Sequence, residues 1–142
     1  MKYKRILVPL DGSECAENVL PYVEKLATDL NATISLLRVA FAHPFPGADP
    51  TEAEVAVVRE AESYLAEVEE RLRTKGLRVD SHVRYGNDAE EILDHASRSD
   101  SDLIAMSTHG RSGLGRWMLG SVAEKVLRHS AKPIFLVRYP GG

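Results

Sequence analysis

The stretch Ser107-Thr108-His109-Gly110-Arg111-Ser112-Gly113-Leu114-Gly115-Arg116-Trp117-Met118-Leu119-Gly120-Ser121 gathers residue types suited to holding an anion. Its glycines let backbone amides crowd around a ligand and permit positive φ. Two arginines, Arg111 and Arg116, lie among them. The apolar run Leu103-Ile104-Ala105-Met106 leads in, and Val122, Ala123, Val126 and Leu127 follow at helical spacing. The reading is strand, glycine-rich loop, helix. A helix N-terminus adds unpaired N–H groups and the positive end of a dipole, which favour phosphate. Ser121 with Glu124 three residues on predicts an N-cap and capping box. The alternative is a long structural turn whose glycines only solve geometry.

Other phosphate and nucleophile signatures fail. A Walker A loop needs a lysine before its Ser or Thr, and Gly115-Arg-Trp-Met-Leu-Gly120-Ser121 has none. Asp11-Gly12-Ser13 does not supply the Rossmann glycine set, and Gly110-Arg111-Ser112-Gly113 misses a nucleophile elbow by one residue. Among His43, His82, His95, His109 and His129 none stands four residues from another, and Cys15 has no second cysteine, so no metal site is predicted. Only His109 falls in the loop, and it reads as a turn or packing residue ahead of a general base. Asp11 follows an apolar run and precedes a helix. It either caps that helix or contacts a ligand, accepting from ribose hydroxyls or standing near a divalent ion beside phosphates. Cys15 reads as a small helix residue, and Trp117 and Met118 as packing residues.

The elements that position these residues alternate. Ile6-Leu7-Val8-Pro9-Leu10 predicts a strand buried on both faces, with Pro9 marking its end. Ala16, Val19, Leu20, Val23, Leu26, Ala27 and Leu30 predict a helix that Pro21 bends or delays and Asn31 stops. Thr33 to Val39 is the second strand, with Val39 a core residue whose backbone could read a base edge. Ala42 to Pro50 carries three prolines and a glycine, an irregular connection long enough for a flap. Thr51 is the expected cap of a long helix with Val55, Val58, Ala61, Leu65, Val68 and Leu72 inward, ended by Gly76. Val79 to Tyr85 alternates and predicts an edge strand. A short helix capped by Asn87, the strand Asp102–Met106, the loop and its helix, and the strand Ile134–Val137 complete the chain. Such alternation implies a parallel sheet with helices on both faces and a ligand crevice beyond the strands' carboxyl ends. Asp11, Val39 and the glycine loop all fall at that edge.

Length and composition fit one soluble domain spanning 1–142, with 44% hydrophobic and 27% charged residues. A net charge of −3 argues against a nucleic-acid partner. No apolar stretch approaches membrane-spanning length, and the basic Met1–Arg5 segment precedes a run too short for a signal sequence. A cytoplasmic protein is expected.

Taken together, Ile6 to Ser13, the strand Leu36-Leu37-Arg38-Val39, Ser107-Thr108-His109-Gly110 followed by nine residues and Gly120-Ser121, Tyr85-Gly86, and Lys132-Pro133-Ile134 resemble the universal stress protein family across essentially the whole chain. The resemblance implies a three-layer α/β sandwich with a five-stranded parallel sheet in the order 3-2-1-4-5, of the adenine nucleotide alpha hydrolase-like kind. It implies dimers built through the last strand, Ile134–Val137, which would otherwise leave an open edge. The ATP-binding branch carries G-x-x-G, nine residues, then G-[ST]. Gly110, Gly120 and Ser121 match, while Ser107 replaces the first glycine. By that resemblance Asp11 contacts ribose or adenine with Pro9 and Leu10 beside the base, and Val39 pairs its backbone with adenine. Met106 and Ser107 flank the ribose. Gly110, Gly120, Ser121 and Val122 cradle the phosphates, with Arg111 and Gly113 in the same loop. The expected ligand is ATP, with Mg²⁺ or Mn²⁺ reached only through its phosphates near Asp11. No positioned base and no Walker lysine are present, so a nucleotide-responsive stress-response module, at most a slow ATPase, is expected. The rival readings are an interaction homodimer that binds no nucleotide and a phosphohydrolase or nucleotidyl transferase of the same architecture.

Overall fold

A computed structural model describes residues 2–110 and 119–139. Five strands, β1 (Arg5–Leu10), β2 (Thr33–Ala40), β3 (Val79–Tyr85), β4 (Leu103–Ser107) and β5 (Ile134–Val137), make one all-parallel sheet. Its order is β3-β2-β1-β4-β5, as the resemblance implied. The helices α1 (Glu14–Glu17), α2 (Leu20–Leu30) and α3 (Pro50–Arg73) cover one face, and α4 (Asp88–Arg98) and α5 (Ser121–His129) the other. Successive strand side chains point to opposite faces. Ile6, Val8, Ile34 and Leu36 therefore pack under α2 and α3, while Leu7, Leu37 and Ile104 pack under α4 and α5. Both faces are covered, which is why these strands read as continuous apolar runs.

The sheet opens at its carboxyl edge. β1 pairs with β2 as far as Leu10–Arg38, but with β4 only as far as Leu7–Ile104. The two central strands thus part at their carboxyl ends. Pro9 does not end β1, as expected from sequence, but sits one residue inside it. It lies beyond the last β1–β4 pair, where a missing N–H leaves that ladder intact.

Helix ends follow local chemistry, with two departures from the sequence reading. Pro21 delays the regular helix as expected: it falls in the first turn of α2, and the preceding segment is a separate short helix, α1. The cap of α3 is Asp49, whose carboxylate accepts from Thr51 N–H at 2.9 Å, with Pro50 as the first helical residue in place of Thr51 as cap. The N-cap of α5 is Gly120, not Ser121, so the expected capping box does not form, and Glu124 instead accepts from Arg128. Asn31 stops α2 in the left-handed conformation as expected, at φ 55. Gly76 closes α3: its N–H reaches Arg73 O and the Leu77 N–H reaches Leu72 O, a Schellman pattern.

Candidate functional site

The parted ends of β1 and β4 border a cavity of about 420 Å³. Of the residues singled out from sequence, Pro9, Leu10, Asp11, Val39, Met106, Ser107, Gly110, Gly120, Ser121 and Val122 all line it. Arg111 and Gly113 lie outside the described residues, as do Arg116, Trp117 and Met118. Segments more than a hundred residues apart in sequence therefore meet in one wall.

Asp11 leaves β1 into a turn that needs glycine next, because Gly12 has φ +87. The Asp11 Oδ1 accepts the Ser13 N–H at 2.9 Å and the Ser13 hydroxyl. Ser13 is the residue that caps α1, its Oγ accepting from Ala16 N–H at 3.1 Å. Asp11 thus holds the cap residue rather than capping the helix itself. Its other carboxylate oxygen faces Gly110 so closely that a Cβ there would collide with it.

Gly120 has an ordinary backbone conformation, φ −62 and ψ 153. Its value lies in proximity rather than in the positive φ that sequence suggested for these glycines. A Cβ at 120 would stand 3.1 Å from Thr108 O and 3.4 Å from His109 Cα. The Gly120 N–H donates to that same Thr108 carbonyl at 2.8 Å. This bond ties the start of α5 to the end of β4. The N–H groups of Ser121, Val122 and Ala123 have no intrahelical acceptor, and all three residues line the cavity. With the helix dipole they make that end suited to an anion.

The opposite wall was missed from sequence. Arg38, Phe41, His43, Val57 and Glu60 also line the cavity, so His109 is not the only histidine there. Phe41 stacks on Tyr85 at 5.5 Å and tilts against His43 at 4.8 Å. The Tyr85 hydroxyl accepts from Ala42 N–H at 3.1 Å, anchoring the start of the proline-rich loop. Arg38 is 8% exposed. Its guanidinium lies 5.1 Å above the Tyr64 ring and 3.9 Å from the Glu60 carboxylate. Burial and the Glu17 carboxylate, which accepts from the Tyr64 hydroxyl at 2.6 Å, push the Tyr64 phenol far above its usual range. One signal for this wall was present: Arg38 is a lone cation inside an apolar strand. Val57 and Glu60 sat on a helix whose periodicity said only which face was inward.

Among the described residues no group of three His, Cys, Asp or Glu side chains is placed to hold a metal ion. Among the same residues no helix is long and apolar enough to cross a membrane.

A family model described as the universal stress protein family matches residues 2–138. Universal stress protein MJ0531 of Methanocaldococcus jannaschii is 30% identical over 143 residues, covering 97% of this chain and 84% of the relative. The solved structure of MJ0577, from the same organism, superposes with a TM-score of 0.89 at 30% identity and covers both chains fully. A universal stress protein from Archaeoglobus fulgidus, solved in complex with dAMP, matches with a TM-score of 0.71 at 23% identity, over 96% of this chain and 98% of the other.

Proposed function

The chain belongs to the universal stress protein family, and from that premise we propose that it binds ATP in the cavity between β1 and β4. The observation that carries this reading is the pair of close approaches at Gly110 and Gly120. There a Cβ would strike Asp11 in one case and press on the Thr108 carbonyl in the other. A side chain at either position would have to displace the Asp11 carboxylate or the Thr108 carbonyl, which supports glycines that serve the cavity over glycines that serve only a turn. The volume of about 420 Å³ falls in the usual range for a small-molecule site. Val39, Leu10 and Met106 offer the base an apolar slot, and the start of α5 offers the phosphates backbone donors. The related chain solved with dAMP adds an adenine nucleotide on the same fold. A Mg²⁺ or Mn²⁺ ion would enter with the phosphates, and Asp11 is the carboxylate nearest Gly110.

The protein acts as a nucleotide-responsive module in the stress response, with at most slow hydrolysis. The Asp11 carboxylate accepts from the Ser13 N–H and hydroxyl, which fixes its position and suits holding a ligand better than activating water. The same reading pairs β5 with β5 of a second copy. Pro133 and Val137 carbonyls accept from Ile104 and Thr108 N–H, so by alternation Ile134 and Leu136 turn their backbone groups to the open edge.

The test is the nucleotide content of protein purified without added ligand, read by denaturation and chromatography. ATP or ADP at near one equivalent is expected. An empty protein that also ignores added ATP with Mg²⁺ refutes the reading and favours the nucleotide-free dimer.

A further inference from the structure

Among the described residues, two polar atoms buried in the cavity wall have no hydrogen-bond partner, Ser107 Oγ and His109 Nε2. Both residues line the cavity and are 4% and 7% exposed. Orphaned buried polar groups are costly, and native proteins satisfy them with water or a ligand. Thr108, between them, is engaged on every polar group. Thr108 N–H donates to Val137 O at 2.9 Å, and Thr108 O accepts from Gly120 N–H at 2.8 Å. Thr108 Oγ1 accepts from Tyr139 N–H at 2.9 Å. The Thr108 hydroxyl also lies 2.9 Å from His109 Nδ1, and which of the two donates follows from the ring's tautomer. A neutral imidazole carries one ring hydrogen, so where the hydroxyl donates to Nδ1 that hydrogen sits on Nε2, a buried N–H donor with no partner among the described residues. His109 stands at the anion-favouring end, since its Cα lies 3.4 Å from the Cβ position of residue 120.

We infer that His109 Nε2–H is a ligand contact that donates to a phosphoryl oxygen of the bound nucleotide, with the Ser107 hydroxyl as a second polar contact beside it. This rests on the nucleotide reading above and deepens it. The site then selects phosphorylated ligands over nucleosides through a side chain as well as through backbone amides. A ring with hydrogen on Nε2 has no lone pair there to accept a proton from water, so His109 is a donor and not the base of a hydrolytic step.

The test is calorimetric titration of the wild type, His109→Phe and His109→Gln with ATP and with adenosine. Phe keeps the ring's bulk and removes the donor. Gln places an amide N–H close to the Nε2 position. Losing a hydrogen bond to a charged group weakens ATP binding by about tenfold or more in His109→Phe, while adenosine affinity stays within about twofold, and His109→Gln recovers part of the loss. Unchanged ATP affinity, or an equal loss for adenosine, overturns the contact. Long-range ¹H–¹⁵N spectra of the wild type test it without a variant. The Nε2–H tautomer is expected in the free protein, with the Nε2 signal moving on ATP addition and not on adenosine; an Nδ1–H tautomer overturns the inference. A wild type that binds neither ligand refutes the nucleotide reading itself, whereas wild-type binding with unaffected variants refutes only the role of His109.

Discussion

Replacing Gly120 with valine tests the shape argument directly. The backbone at 120 suits any residue, with φ −62 and ψ 153, so the substitution adds no torsional strain. The Cβ, however, would stand 3.1 Å from Thr108 O, and the branched carbons extend further. Relief requires the start of α5 to move away from β4, which stretches the 2.8 Å bond between Gly120 N–H and Thr108 O. Crowding of this kind costs about 1–3 kcal/mol of stability, so the free protein still folds. The amides of 121–123 are displaced from the cavity, and losing one contact to a charged phosphate, about 2–3 kcal/mol, weakens ATP roughly 30- to 150-fold. In a thermal-shift assay, ATP at a hundred times the wild-type Kd stabilises the wild type by about 2.7 kcal/mol. That is about 8 °C at roughly 3 °C per kcal/mol for a chain of this size. A hundredfold weaker variant gains about 0.4 kcal/mol, close to 1 °C. Val68→Ala is the control. Val68 is 1% exposed in the α3 core and does not line the cavity. Its truncation costs about 2 kcal/mol yet leaves the ATP shift whole. If Gly120→Val melts near the wild type and keeps the full ATP shift, α5 does not hold the phosphates and the reasoning is refuted.

Two further predictions follow from other parts of the molecule. Light scattering of the wild type at micromolar concentration should report a dimer and Phe135→Glu a monomer, because Phe135 is a 36% exposed aromatic on edge strand β5; a dimeric variant would count against pairing through that edge. Burial, and then the neighbouring His82 and Arg84 charges, hold the His95 imidazole below its ordinary 6.5, with the His82 ring 5.1 Å away. The unfolded chain therefore binds that proton first as the pH falls, so the stability carried by neutral His95 is whole above about 6.5 and is lost below it. Urea melts at pH 8 and pH 5.5 should show a larger loss in the wild type than in His95→Gln, and equal losses would refute the assignment. Asp80 does not add to that window: burial alone would raise its carboxyl, but Arg5 and Ser35 outweigh it and hold it below 3.8.

Much of the fold was legible because short-range chemistry determined it. Apolar runs such as Ile6–Leu10 and Ile134–Val137 have the length and bounding residues of buried strands, and Asn31 and Gly76 stop helices through backbone preferences of their own. Cap identities slipped by one or two residues at Thr51 and Ser121, because an adjacent Asp49–Pro50 pair or a tertiary bond at Gly120 competed with the expected hydroxyl.

The amino-acid order by itself determined the alternation of strands and helices and the carboxyl edge of the sheet at which Asp11, Val39 and Gly110 fall, since each depends on neighbours within a few residues. Only the tertiary structure decided that Gly110 faces the Asp11 carboxylate and that Arg38, Phe41 and His43 close the far wall. It also decided that Thr108 Oγ1 meets both Tyr139 N–H and His109 Nδ1, and that His109 Nε2 is buried with no partner among the described residues. Those facts are distances between residues far apart in the chain, and packing sets them, whereas local pattern carries no information about which side chain a buried atom will meet.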